Sequence, residues 1–232
     1  MKNLLKAYLV ALTLAMASQL PAAAQKPELR AGVSVEMPVT TSAVPLPDAD
    51  SRDALIVAVT RDGKVYFGID PVSPAGLAEK VKGALSGGAV RKLYLKADAR
   101  ARFSSVISAL TASREAGVAA LNLLTAQCDT SEATYPVPPK GLEVLLGPQR
   151  PPTAQTIVVQ AVDSSGSPVL TVDGKRIPSV SLQGTIAAPV KGARSRAVLL
   201  TADGRLAFRD VIGVIDRCHS AGANVFLTLA GQ

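Results

Sequence analysis

Apolar and polar positions alternate along this chain in two recurring periods. Ala54–Val59 (ALIVAV) is short, apolar and β-branched, which predicts a buried strand. Arg61-Asp62-Gly63-Lys64 is a hairpin turn, and Val65–Ile69 the return strand. Pro74–Leu85 places Leu77, Val81 and Leu85 on one helical face and ends at Gly87-Gly88. Leu93–Ala97 reads as a strand. Phe103–Ala116 carries Phe103, Val106, Ile107 and Leu110 at helical spacing and stops at Gly117; Val118–Leu124 is a closing strand.

The pattern then recurs. Leu95–Phe103 (LKADARARF) lines up with Leu200–Phe208 (LTADGRLAF) at an offset of 105 residues. The offset pairs Val106-Ile107 with Val211-Ile212, Leu110 with Ile215, Ala116-Gly117 with Ala221-Gly222 and Leu121 with Phe226. Upstream, Val72 and Leu77 pair with Ile177 and Leu182. The second copy predicts strands Ile157–Val162, Val169–Val172, Arg196–Thr201 and Asn224–Leu229. Its helices are Ala207–Ala221 and a weaker one near Ser179–Ala188, interrupted by Gly184 and Pro189. The expectation is an α+β protein of two tandem small domains, 54–127 and 156–232. Each is β-β-α-β-α-β, with two helices on one face of a mixed sheet and its own small core.

Proline divides the rest. Residues 25–53, with Pro27, Pro38, Pro45 and Pro47, read as an extended tail with a short strand at Val44–Leu46. Residues 128–155 read as a Pro-rich linker within which Leu142–Leu146 (LEVLL) forms a short strand. Residues 1–24 read as a signal peptide: Lys2 and Lys6, the apolar run Ala7–Ala17, then Ala22-Ala23-Ala24 before a cleavage at Gln25. The alternative is a retained anchor, because 19 uncharged residues separate Lys6 from Lys26. Either way the remainder is expected in the periplasm, as an exported protein or as an inner-membrane-anchored one.

Composition narrows the chemistry. The formal charge of +7 falls to +5 without residues 1–24, and the basic residues are scattered. With only 3% aromatic residues, this argues against a stacking platform for nucleic acid, and no nucleic-acid partner is expected. One His and two Cys cannot make a four-ligand Cys/His zinc site from one copy of the chain. No phosphate loop, nucleophile elbow or paired carboxylates occur, so no catalytic, cofactor or metal residue is assigned and an enzyme is not expected. His219 is expected at a helix surface. Cys128 and Cys218 would meet an oxidising compartment; a bridge between the two domains, two free thiols or an intermolecular bridge all remain open.

The ordered motifs resemble the periplasmic domain of the ExbD/TolR family of biopolymer transport proteins. They are the Val44-Pro45-Leu46-Pro47 lead-in, the Asp62-Gly63 turn, Ala97-Asp98, Phe103-x-x-Val106-Ile107 and Ala116-Gly117. Ala202-Asp203, Phe208-x-x-Val211-Ile212 and Ala221-Gly222 repeat the last three. The resemblance implies a non-catalytic binding or scaffold protein of energised envelope transport, pairing as a homodimer. Its partners would be inner-membrane motor proteins, TonB-like proteins or cell-wall polymer. It departs from the family at the membrane carboxylate that serves proton coupling there, since residues 1–24 hold no Asp or Glu. The motif positions Asp98, Arg100, Phe103 and Gly117, and Asp203, Arg205, Phe208 and Gly222, are read as structural: turn or cap acids with following arginines, core anchors and helix stops.

Overall fold

The computed structural model describes residues 33–51, 53–88, 92–118, 120–126, 138–147, 156–188 and 196–229. Strand β1 (Val44–Pro45) precedes a 3-10 turn, Pro47–Asp50. Then follow β2 (Leu55–Val59), β3 (Val65–Phe67), β4 (Asp70–Val72), α1 (Pro74–Ser86), β5 (Lys92–Ala97), α2 (Phe103–Glu115) and β6 (Ala120–Thr125). β7 (Lys140–Leu146) leads to β8 (Ile157–Ser164), β9 (Ser167–Val172), β10 (Lys175–Ile177), α3 (Leu182–Ala187), β11 (Arg196–Ala202), α4 (Phe208–Ser220) and β12 (Ala223–Thr228).

Local chemistry explains the boundaries. Ser73 caps α1 by accepting the Gly76 N–H at 3.1 Å, with Pro74 opening the helix. Gly117 (φ +99°) and Gly222 (φ +74°) end α2 and α4 in the left-handed region. The two halves share one strand order, β4-β3-β2-β5-β6 and β10-β9-β8-β11-β12, and the same parallel and antiparallel pairings. Each half contains a short third strand beyond the expected pattern, because the return strand turns at Gly68-Ile69 or Asp173-Gly174 and pairs again.

Three expectations change. The halves do not hold separate cores. One continuous buried cluster runs from Leu55 to Leu227, and α1 touches α2, α2 touches α4, and α4 touches α3. The linker strand is longer than expected and joins the halves into one mixed sheet, lying antiparallel to β6 and parallel to β12. The extended lead-in is held over its described part: Met37 and Leu46 pack against the cluster of Ala49, Tyr94 and Leu124 on the sheet's other face.

The pairing of Leu121 with Phe226 also fails. Leu93 pairs with Leu121, and its counterpart Val198 pairs with Val225, so Val225 is the true equivalent. The second half is one residue shorter between helix and strand. In a strand a one-residue slip exchanges faces, so Leu121 and Val225 enter the core while Phe226 lies on the opposite face.

Phe103 and Phe208 are among the largest fully buried side chains and belong to the same cluster. Phe103→Ala and Phe208→Ala should each cost about 3–5 kcal/mol. Both should shift one shared cooperative transition in urea; two separable transitions, each sensitive to one substitution, would contradict a common core.

Candidate functional site

The loops that follow β5 and β11 bring together six of the motif residues named from sequence. In the first loop the Asp98 N–H continues the strand ladder by donating to Val59 O at 2.9 Å. The Asp98 carboxylate then folds the chain back. Its Oδ1 accepts the Arg100 main-chain N–H at 3.0 Å and Arg100 Nε at 3.1 Å, and its Oδ2 accepts Nη2 at 3.3 Å. The second loop repeats this: Asp203 N–H donates to Ala161 O at 2.8 Å, and Asp203 accepts Arg205 N at 2.9 Å, Nε at 3.1 Å and Nη2 at 2.6 Å. These are Asx turns reinforced by an ion pair. The Arg100 bond is the main cause that holds the Asp98 carboxyl below the ordinary value of 3.8. The Arg205 bond holds Asp203 well below it too.

Neither aspartate caps the helix that follows. The residues before α2 and α4, Arg102 and Ala207, make no side-chain cap. The first helical N–H groups would otherwise lack partners. They donate across the molecule. Phe103 N–H donates to Leu206 O at 2.8 Å and Phe208 N–H to Ala101 O at 2.8 Å. Ser104 N–H donates to Gly204 O at 2.9 Å and Arg209 N–H to Ala99 O at 2.9 Å. Donors and acceptors exchange under the 105-residue offset, with Arg102 and Ala207 bridged antiparallel between them. The approach is close at Gly204: a Cβ there would lie 3.0 Å from Ser104 Cβ, so Ser104 would have to give by a few tenths of an ångström.

The lead-in segment breaks this symmetry. Glu36 accepts the Ala99 N–H at 2.7 Å through its main chain and pairs with Arg100 at 2.8 Å through its carboxylate. Further along, Thr41 and Ser42 converge on Asp216 of α4. The Ser42 N–H donates at 2.8 Å and its hydroxyl at 2.5 Å, and the Thr41 hydroxyl donates at 2.9 Å. Sequence reasoning missed Asp216. The available signal was a departure from the repeat, since Thr111 stands at its counterpart. Among the described residues Arg205 has no such strap residue, and it is the more exposed arginine, 64% against 39% for Arg100.

The other named residues lie apart from this junction. Gly117 and Gly222 sit at the far ends of the helices. Cys218 is a free, fully buried thiol, pushed up to about 12 by burial; Cys128 lies outside the described residues. His219 lines a pocket of about 400 Å³ with Ser42, Val44, Glu143 and Asn224, and burial lowers its pKa. A shallower hollow of about 440 Å³ lies beside Asp98, Ser34 and Asp62. Among the described residues no three His, Cys, Asp or Glu side chains gather into a metal-holding group. No helix among them is long and apolar enough to cross a membrane.

The family described as biopolymer transport protein ExbD/TolR matches residues 11–127, half of the chain, ending directly after β6. The chain belongs to the ExbD/TolR family. It is similar to the biopolymer transport protein ExbD of Pseudomonas aeruginosa, at 26% identity over 101 residues, covering 44% of this chain and 74% of that protein. Within the matched span Asp98 shapes a loop, with Arg100 as its clip and Phe103 as the anchor behind it.

Two outcomes follow. Asp98→Asn should lower stability at pH 7 by about 1.5–3 kcal/mol, the usual worth of hydrogen bonds to a charged group. The folded pKa is lowered, so this contribution is present above 3.8 and is lost as pH falls through the lowered value. Urea titrations across that range should therefore slope less in the variant; equal slopes would contradict the clip. Cys218 should resist alkylation at pH 8 in the folded protein and react once denaturant is added.

Proposed function

We propose that this member of the ExbD/TolR family is a non-catalytic binding component of energised envelope transport, carrying two family domains in tandem on the periplasmic side. The observation that carries the reading is the shared strand order and register of the two halves, with the family match lying on the first. The motif residues support a binding role: in both loops they are spent on turn, clip and core, leaving surface rather than chemistry for a partner. The partners are inner-membrane motor proteins or TonB-like proteins, with cell-wall polymer as the alternative ligand. Residues 1–24 hold no Asp or Glu, so the reading assigns no proton-coupling carboxylate to them.

Residues 1–24 are read as a cleaved signal peptide. A retained inner-membrane anchor is the second reading, and the family match favours it by starting at residue 11, inside the apolar run. Fractionation with sequencing of the mature N-terminus separates them. A soluble periplasmic protein starting at Gln25 supports export; a membrane pellet with Met1 or Lys2 intact supports the anchor. Affinity capture of the tagged protein after in-cell crosslinking should recover motor or TonB-like subunits. Recovery of wall fragments alone would favour the polymer, and recovery of neither would refute the reading.

A further inference from the structure

We infer that this chain is its own dimer: the two halves close on each other within one molecule, and the chain works as a monomer in which that junction is unavailable to a second copy. The inference rests on the reading of two family domains in tandem and goes beyond it by assigning the partner of the loop surface. Helices α2 and α4 lack side-chain caps, and each receives its missing acceptors from the other half. The four bonds form two pairs that interchange under the 105-residue offset, which is the signature of an isologous two-fold contact. A half with this loop on its own would present uncapped N–H groups and bare carbonyls arranged to match a copy of itself. In this chain the match is already made.

Strand β7 argues that the pair closes only once. It lies between β6 and β12, antiparallel to one and parallel to the other. A two-fold axis cannot place two equivalent strands in that single slot. Two copies meeting through the same junction would bring two β7 segments to one position. The lead-in adds a second asymmetry, since it spans from Glu36 on the first loop to Asp216 on α4 of the second half. The homodimer that the family resemblance implies is therefore replaced by covalent fusion.

A crosslink tests this directly. A Cβ built at Gly204 lies 3.0 Å from Ser104 Cβ, close enough that a shift of about 0.5–1 Å reaches disulfide spacing. In a background of Cys128→Ser and Cys218→Ala, the pair Ser104→Cys and Gly204→Cys should oxidise within one chain. The product would keep monomer mass on a non-reducing gel and lose two protons. A covalent dimer would show that the halves pair between chains. Free thiols in a protein that still unfolds cooperatively would show that the loops do not meet. Either result overturns the closed junction, while the tandem-domain reading stands or falls separately on partner capture. If the quadruple variant does not fold, sedimentation equilibrium of the unaltered chain decides: 23.8 kDa supports the proposal, or slightly less if residues 1–24 are removed, and twice that mass overturns it.

Discussion

The structure depends on two helices that cap each other. An α-helix leaves its first N–H groups without acceptors, and serine, threonine, aspartate or asparagine commonly fills the gap. Here the cap positions are Arg102 and Ala207, which cannot. Ala99, Ala101, Gly204 and Leu206 supply the carbonyls instead, each from the opposite half. Buried main-chain groups are costly when unpaired, so this exchange links the folding of one half to the other. The continuous core and shared sheet follow the same logic: Phe103 and Phe208 sit at the helix starts, directly behind the exchanged bonds.

The motif aspartates gain a physical role in this arrangement. Asp98 and Asp203 do not cap the helices that follow them. Each accepts the N–H two residues on and fixes the arginine beside it, which sets the curvature that carries the loop carbonyls to the other half. An acid and an arginine spaced two apart would look like a binding pair in isolation. Their mutual hydrogen bonds lower the acid's pKa and use two of the guanidinium's five donors, which leaves fewer for a ligand.

Much of this was legible in the chain. Helical spacing at Phe103, Val106, Ile107 and Leu110 is strong, and the structure buries all four. The repeat placed the second set before any fold was known. What stayed hidden has specific causes. Periodicity cannot say whether two similar units bury one core or two, because both bury the same residues. The step from offset 105 to 104 after Gly222 hides behind an apolar strand in which Phe226 and Val225 look equally suited to the core. The strap contact between Ser42 and Asp216 spans 174 residues and leaves no local pattern. The proline-rich stretch around β7 resembled a spacer, since its prolines report on the flanks rather than on the strand between them.

The central claim is that the two halves satisfy each other's helix starts, and amide hydrogen exchange measures this most directly. The N–H groups of Phe103, Ser104, Phe208 and Arg209 should exchange slowly, at rates set by global unfolding, although each lies in the first turn of a helix without a side-chain cap. Exchange of these four amides at the rate of unprotected loop residues, while the sheet amides stay protected, would contradict the account.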